Sequence, residues 1–320
     1  MHERRKILEL VAQGKLTPEQ AELLLEALQD NAPPKTDSKI AWDKATAELK
    51  TLGSQMSSVV AQSMSELRRG LETNLNNLSF REHIAASYEH EFAPTVQSLR
   101  IESQNGRIRV QQWTQPHIRI YVQADVRADE QNRAKDILTQ AVQISDTDHD
   151  ANIRFLDRWE GTRIHGGRID VYMPEQIENL ELETKNGSIF IDHTRADSIE
   201  LDTLNGTIHI QAAHARTLRT KTQNGEIHLY DTIADFTQQL HAESKNGAIK
   251  LRGLPTFTAV HGQAKTSIGT VHVKHAGYTA YYEQEHRKNA CTFKPNDDTL
   301  FSEPVTSVYL ETRNGNITVQ

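Results

Sequence analysis

The chain has 320 residues, of which 37% are hydrophobic and 25% charged, and its formal net charge is −7. The low apolar share is typical of an elongated protein with a thin core and much surface. The negative charge and the lack of clustered Lys and Arg argue against nucleic acid as a partner. The single cysteine, Cys291, excludes an intramolecular disulfide and a cysteine-based metal site.

The first 30 residues carry two short amphipathic helical patterns. Gly14 ends the first pattern in the manner of a helix C-cap. Thr17, Pro18 and Gln20 then supply the N-cap, N1 and N3 residues of a capping box for the second. Because so short a pair buries too little surface to be stable alone, we predict a helical hairpin module over residues 1–30 that docks on something else.

Residues 31–90 are predicted to contain a linker and one long amphipathic helix. Pro33-Pro34 marks the linker, and Leu, Met and Val recur at helical steps from about residue 39 to 78. Such a stripe suits a coiled-coil seam, a bilayer surface or packing against the rest of the chain. Since the charges of this span nearly cancel, we favour packing or homo-oligomerisation through residues 1–80 over contact with a membrane surface.

From about residue 91 to 320 one motif recurs, with alternating apolar residues, a Thr or Ser, Asn-Gly two residues later, and then Ile. Period-two alternation predicts strands with one buried face. Asn-Gly is expected to supply backbone positions with φ > 0, and Thr or Ser to fit the pleated surface before the turn. The predicted turn residues are Asn105, Gly106, Asn186, Gly187, Asn205, Gly206, Asn224, Gly225, Asn246, Gly247, Asn314 and Gly315, with degenerate copies around Gly167 and Gly269.

A string of hairpins and a β-solenoid could both use these turns. From Gly167 to Gly269 the glycines recur about every 20 residues, and chemically identical positions stay in register. Stacking of like on like requires that identity, whereas a meander of hairpins does not. The predicted fold is therefore mainly β, a single-chain β-solenoid over residues 91–320 that follows the helical hairpin and the long amphipathic helix.

Two segments depart from the repeat. An insertion at about residues 112–165 is predicted to hold a helix over 129–141 and a hairpin with strands near 142–145 and 152–156. A second departure spans about residues 277–303. The sequence has no signal-peptide core and no apolar run long enough to cross a bilayer, so a cytoplasmic location is the default expectation.

Three groups of polar residues are candidates for a site. Asp146, Asp148 and Asp150 alternate like the first ligands of a calcium loop, but that loop's Gly and Glu positions hold Ala151 and Asp157, so an Asp-rich hairpin tip is preferred. Histidines between apolar strand residues are expected to point outward, namely His209, His228 and His272. The acidic residues of the repeats are scattered without a convergent catalytic pair, namely Glu181, Glu183, Glu200, Asp202 and Glu226.

Trp113 and Trp159 could anchor a ligand, although packing roles are favoured. The sequence contains no nucleophile elbow, P-loop or dinucleotide fingerprint. We therefore predict no enzymatic activity, no cofactor and no metal site.

The two halves of the chain together resemble a known family. The opening Ile7-Leu8-Glu9-Leu10-Val11, followed by Gly14 to Ala21, resembles the short helical module of YvlB/LiaX-type proteins of Gram-positive bacteria. The Asn-Gly-x-Ile repeats resemble the adhesin-like β-solenoid domain at the back of the same proteins. The resemblance implies a non-catalytic role in the cell envelope, as in the daptomycin-sensing surface proteins that bind antimicrobial peptides and modulate a three-component stress response. The resemblance identifies no ligand-binding residue in this sequence.

The leading functional hypothesis is a non-enzymatic envelope-stress or surface interaction protein with a protein or peptide partner. Two alternatives stay open. A carbohydrate-active solenoid enzyme would need paired carboxylates in one groove. A cytoplasmic regulator would act through its helical module.

Overall fold

A computed structural model of the protein describes residues 82–256, 258–297 and 305–320. The described part is mainly β, which confirms the predicted class. The predicted helical hairpin over residues 1–30 and the long amphipathic helix lie outside the described residues. Within the described part, no helix has the length and apolar character needed to span a membrane.

The described residues form twenty strands and one helix. The first group runs up to the second regular repeat: β1 Glu82–Glu91, β2 Ser98–Asn105, β3 Arg107–Gln112, β4 Arg119–Ala128, α1 Gln131–Ala141, β5 Val142–Asp146, β6 Asp150–Phe155, β7 Arg158–Trp159 and β8 Thr162–Met173. The rest follow: β9 Gln176–Asn186, β10 Ile189–Asn205, β11 Ile208–Asn224, β12 Ile227–Tyr230, β13 Gln239–Asn246, β14 Ile249–Arg252, β15 Val260–Ile268, β16 Val271–Val273, β17 Tyr278–Tyr282, β18 Ala290–Pro295, β19 Thr306–Asn314 and β20 Ile317–Val319.

Each repeat contributes one strand before its turn glycine and one strand after it. We call the strands that run into the turn the leading sheet, those that leave it the trailing sheet, and the pair around one glycine a rung. Neighbouring rungs pair in parallel at identical repeat positions, so that Asn205 lies opposite Asn224 and Ile189 opposite Ile208. The strands β10 and β11 continue from the trailing sheet into the leading sheet. The architecture is solenoid-like.

The rungs do not stack in sequence order. The rung of Gly106 lies between those of Gly167 and Gly187, because β3 pairs with both β8 and β10. The rung of Gly315 likewise lies between those of Gly247 and Gly269, because β20 pairs with both β14 and β16. The first and last repeats of the chain are therefore each covered by a rung formed from more interior sequence. A repeat alignment identifies equivalent residues, but it does not give the order in which they stack.

One end of the stack is built from the segment predicted as an insertion. The structure confirms its helix, α1, and its hairpin, β5 and β6. However, the segment is part of the sheets and not an excursion from them, because β6 pairs in parallel with β2, and β4 pairs with β8. The strand β1 pairs with β4 along its length, so β-structure is already present in the described residues ahead of the predicted boundary at residue 91.

The helix α1 closes this end with an apolar face. Its residues Ala134, Ile137, Leu138 and Ala141 recur at helical spacing, and all four are buried. They pack against β1 and β4, so the last strands of the stack do not expose their inner face.

The other end is closed by the antiparallel strands β17 and β18, which lie within the predicted second departure. The Phe293 ring of β18 covers Gly262 of β15, where a side chain would overlap the ring. Phe155 covers Gly167 in the same way at the opposite end. Gly262 occupies the buried repeat position of Val308, so the Phe293 ring takes the place of the missing core side chain there, whereas Phe155 packs against the turn glycine of its end rung.

The core is a set of ladders of identical apolar positions. The isoleucine that follows each Asn-Gly is fully buried in all six regular repeats, at Ile108, Ile189, Ile208, Ile227, Ile249 and Ile317. Each such side chain contributes roughly 1.5–3 kcal/mol of burial free energy. The inward positions therefore hold the rungs together, and the outward positions are left to vary.

Candidate functional site

The predicted turn asparagines form a continuous amide ladder along one corner of the stack. Each side chain donates a hydrogen bond from Nδ2 to Oδ1 of the asparagine on the neighbouring rung, at 2.7–2.8 Å. At one end Asn105 donates to the Asp157 carboxylate at 2.8 Å, so the donor end of the ladder meets a negative charge. At the other end Asn314 lies opposite Ile268, whose side chain is 70% exposed.

The turn glycines are required for a different reason from the one predicted. Among the glycines at the turns, only Gly106 and Gly269 have φ between +20° and +160°, and no turn asparagine has positive φ. The expectation that Asn-Gly supplies φ > 0 is wrong for the other turns. Instead, a Cβ on Gly206 would overlap the Gly187 carbonyl oxygen, and each following rung repeats this close approach. The contact is between rungs, so glycine is needed at every one of them.

The Thr or Ser before the turn acts on the same carbonyl. Thr203 Oγ1 donates to the Gly187 oxygen at 2.9 Å, and Thr222 Oγ1 donates to the Gly206 oxygen at 3.0 Å. Ser244, Thr266 and Thr312 repeat the bond at 2.9–3.0 Å. These hydroxyls are buried, and they satisfy a carbonyl that the corner would otherwise leave without a partner. The sequence places these residues correctly but does not reveal this role.

Positive φ occurs at a second corner, where the trailing strand turns back toward the leading sheet. The residues there are His193, Ala212, Asp231 and Gly253, with φ of 48°, 50°, 51° and 80°. Four unrelated residue types hold equivalent positions, because the requirement is a local backbone conformation and not a contact with the next rung. No repeated residue marks this corner, so the sequence could not predict it.

The outer face of the leading sheet carries an acidic patch, which we define as Glu181, Glu183, Glu200 and Asp202. Parallel register places Glu181 beside Glu200 and Glu183 beside Asp202, at the strand spacing of about 4.8 Å. The prediction that these acids are scattered is therefore wrong. The signal was present in the alignment, because consecutive repeats carry acids at the same two positions.

Among the described residues, Glu181 is the one member of the acidic patch in an ion pair, although Arg219 and Lys221 of β11 lie opposite Glu200 and Asp202. Arg100 pairs with Glu181 at 3.0 Å, but no Lys or Arg of the described residues lies within ion-pair distance of Glu183, Glu200 or Asp202. Partial burial raises the pKa of Asp202, and the charges of Glu183 and Glu200 add to the rise against the opposing effect of Lys221. Leu204, an exposed apolar residue, follows on the same strand face.

The outer face of the trailing sheet is different and carries rings and arginines. Phe190, His209 and His228 lie side by side on successive strands, with ring centroids 6.0 and 5.7 Å apart. Tyr230 packs edge-on against His209 at 5.2 Å. Glu226 accepts hydrogen bonds from His228 at 2.7 Å and Lys250 at 2.9 Å. The Lys250 and His228 bonds hold the pKa of Glu226 below its usual range.

The other predicted candidates serve local structure. Asp146, Asp148 and Asp150 are exposed at the β5–β6 hairpin tip, where Thr147 Oγ1 accepts a bond from the Asp150 backbone N–H at 3.1 Å. Across the described ranges, no group of three or more His, Cys, Asp or Glu is arranged to hold a metal ion. His272 lies half-buried on the outer face of the trailing sheet beside Thr270.

Both predicted tryptophans are half-buried and tied to neighbours. Trp113 donates from Nε1 to the His117 carbonyl oxygen at 2.8 Å and packs against Tyr172. Trp159 donates from Nε1 to Gln140 at 2.7 Å and packs on the edge of the core. Neither ring is presented as a free platform for a ligand.

Residues 89–320 match the model of the family described as Toastrack DUF4097. The chain belongs to this family. The Toastrack match covers most of the strands described above, and residues 3–32 match the model of a SHOCT-like domain, close to the predicted module over residues 1–30. No curated protein sequence matches the chain.

Several solved structures match part of this chain at low identity. A "putative cell adhesion protein" from Clostridium sporogenes is 12% identical, covers 74% of this chain and 99% of its own, and has a TM-score of 0.43. A "putative adhesin" from Bacteroides fragilis is 11% identical, with 73% and 97% coverage and a TM-score of 0.34. A "putative lipid binding protein" from Parabacteroides distasonis is 9% identical, with 72% and 96% coverage and a TM-score of 0.32.

Proposed function

We propose that this protein is a non-enzymatic interaction protein of the cell envelope that binds cationic, membrane-active peptides on the acidic patch. The observation that carries the proposal is the set of three carboxylates, Glu183, Glu200 and Asp202, held on adjacent strands without a cation at ion-pair distance. Burial raises the pKa of Asp202, and the negative charges of Glu183 and Glu200 add to the rise. A Lys- or Arg-rich ligand would counter this rise.

The surroundings of the patch suit a peptide that is both cationic and apolar. Leu204 offers an exposed apolar contact next to Asp202 on the same strand. The strands beneath are fixed by buried ladders, so little conformational entropy would be lost on their side of the complex. Charge attraction would steer the encounter and set a strong dependence on salt.

The order of domains supports a closer assignment to the YvlB/LiaX-type proteins. A short module that matches a SHOCT-like model precedes a Toastrack unit, as the resemblance of the sequence predicts. On this proposal the protein acts at the cell surface, peptide binding modulates an envelope stress response, and residues 1–80 mediate association. Fractionation of producing cells tests the location, and recovery only from the cytoplasm would favour the regulator alternative.

The proposal is tested by titrating the full chain with a Lys-rich amphipathic peptide and with an analogue in which Gln replaces each Lys. We expect binding of the cationic peptide that weakens at least tenfold between low and physiological salt, and much weaker binding of the neutral analogue. Equal affinity for the two peptides, or affinity that does not respond to salt, would show that the acidic patch does not carry the function.

A carbohydrate-active enzyme is the second candidate, and one observation favours it. Glu183 and Asp202 face the same solvent from adjacent strands, and the pKa of Asp202 is raised, as in carboxyl pairs that cleave glycosidic bonds. Incubation with a polysaccharide panel separates the candidates. Products formed by the wild type and lost in both Glu183→Gln and Asp202→Asn would establish the enzyme.

A further inference from the structure

We infer that the outer face of the trailing sheet binds an anionic polysaccharide through an arginine–aromatic patch, defined as Arg107, Phe190, His209, Tyr230 and Arg252. This surface lies on the other sheet from the acidic patch, and the opposite charge would select the opposite class of ligand. The inference therefore stands independently of the proposed peptide binding.

Two guanidinium groups bracket the patch. Arg107 lies 5.3 Å from the Phe190 ring centroid, and Arg252 lies 5.2 Å from that of Tyr230. Both arginines are exposed, and neither forms an ion pair with any carboxylate of the described residues. Stacking on a ring fixes the plane of a guanidinium while its N–H donors remain available for a planar acid group.

Among the described residues, the nearby carboxylates make their ion pairs and hydrogen bonds with groups other than these two arginines. Glu226 is held by His228 at 2.7 Å and by Lys250 at 2.9 Å. Asp192 Oδ1 lies 2.6 Å from Nδ1 of the adjacent His193, and Asp231 accepts a hydrogen bond from Gln211 Nε2 at 3.2 Å. Within the patch the positive charge belongs to Arg107 and Arg252, and Arg109, exposed on β3 opposite Phe190, is a further arginine beside it.

The rings between the two arginines form an uncharged platform. Phe190, His209 and Tyr230 are half-buried, so each presents one side to solvent while its neighbours hold it in place. Burial and the neighbouring His228 keep the pKa of His209 below its ordinary value, which leaves this ring neutral at neutral pH. Apolar ring surfaces can pack against the C–H faces of sugar rings, while the flanking arginines bind the carboxylates that those sugars carry.

The size of the patch indicates a polymer. Arg107 and Arg252 are carried by β3 and β14, with β10, β11 and β12 between them. Four strand spacings correspond to roughly 19 Å, which is longer than a single sugar. A chain with acid groups along its length can meet both arginines at once and gain from the shared attachment.

Other polyanions fit the surface less well. The large apolar residues exposed on the described part are Leu204, Ile268, Tyr281 and Tyr309, and none belongs to the patch, so it lacks the anchors that insert into a bilayer. The full chain carries a net charge of −7 and two arginines are few for a nucleic-acid backbone.

The test measures binding of the full chain to polygalacturonate, with neutral dextran, polyglutamate and anionic phospholipid vesicles as comparison ligands. We expect binding of polygalacturonate that weakens at least tenfold in Arg107→Gln/Arg252→Gln and at least threefold in Phe190→Leu. Arg313→Gln is the matched control, since this exposed arginine lies on the leading sheet, and it should bind like the wild type.

Several results would overturn the inference. If polygalacturonate does not bind, or if the double variant binds it as tightly as the wild type does, the arginine–aromatic patch is not a polysaccharide-binding site. Equal binding of polyglutamate with no effect of Phe190→Leu would reduce the surface to charge alone. Tighter binding of the vesicles, lost in the double variant, would assign the arginines to a membrane surface.

Discussion

The Asn-Gly corner and the outer faces belong to the same rungs, yet their residues follow opposite rules. At the corner every regular rung carries the same Asn, Gly and Thr or Ser, because Asn and Gly contact their counterparts on the next rung and the Thr or Ser bonds that rung's glycine carbonyl. On the outer faces the equivalent positions hold Glu, Asp, Arg, His and Phe, and they differ between the two sheets. A residue type that is the same on every rung of the corner therefore marks a contact between rungs. A residue type that varies from rung to rung on the outer faces marks surface that is available for ligands.

The largest effect is expected where the corner contact is closest. Gly206→Ala places a Cβ into the Gly187 carbonyl oxygen, so we predict a loss of about 3 kcal/mol or more in unfolding free energy. Gly161→Ala is the control, because Gly161 has φ of 78° but open space around it, and it should cost only about 1 kcal/mol. Chemical denaturation measures the unfolding free energy of both variants. A larger loss of stability for Gly161→Ala would mean that backbone conformation, and not contact between rungs, explains why glycine is required at the turns.

A smaller effect is expected at the hydroxyl that caps the corner carbonyl. Thr203→Val removes the 2.9 Å bond to the Gly187 oxygen and leaves that buried acceptor short of a partner. We predict a loss of about 1–2 kcal/mol. Thr203→Ser keeps the hydroxyl and should recover most of the stability. If the two variants melt at the same temperature, the bond contributes nothing.

A gain is expected at the end of the amide ladder. Ile268 occupies the ladder position opposite Asn314 and is 70% exposed. Ile268→Asn would add one rung to the ladder and remove exposed apolar surface, so we predict a gain of about 0.5–1 kcal/mol. Ile268→Ala is the control that removes the apolar surface without extending the ladder. A melting temperature for Ile268→Asn no higher than for Ile268→Ala would show that ladder extension is not stabilising.

The smallest stability effect is expected on the acidic patch, and it has the opposite sign to the corner effects. Because the folded-state pKa of Asp202 is raised, its ionised form opposes folding above that pKa, and the opposition disappears below the unfolded value of about 3.9. Asp202→Asn should therefore be slightly more stable than the wild type at neutral pH, with the difference vanishing toward pH 3. Melting curves across this range test the sign, and a destabilised variant at neutral pH would mean that Asp202 supports the fold.

The sequence predicts the part of the fold that rests on contacts between rungs. The repeated Ile, Thr and Gly positions are recognisable because stacking makes them alike. The stacking order of the Gly106 and Gly315 rungs cannot be predicted from the sequence, because a rung can lie beside any other rung with the same inward residues. The second corner at His193 and Ala212 is hidden because a local φ requirement leaves no repeated residue.

The candidate sites were less predictable for a related reason. The acids Glu183 and Asp202 occupy one repeat position, so their pairing follows from the alignment once parallel register is assumed. The patch of Arg107 and Arg252 is spread over five strands that are far apart in the chain. Its arginines become neighbours of the rings only through the order of the strands.

The assignment of two ligands to two separate outer faces is tested most sharply by a crossed binding measurement with two double variants and two ligands. Glu183→Gln/Asp202→Asn and Arg107→Gln/Arg252→Gln are each titrated with the Lys-rich peptide and with polygalacturonate, alongside the wild type. If the two outer faces bind separately, both variants keep the melting temperature of the wild type within a few degrees. Each loses at least tenfold affinity for one ligand only, the peptide for the first variant and the polysaccharide for the second. Variants that bind both ligands as the wild type does, or that lose both together, would contradict the assignment of binding to two separate outer faces.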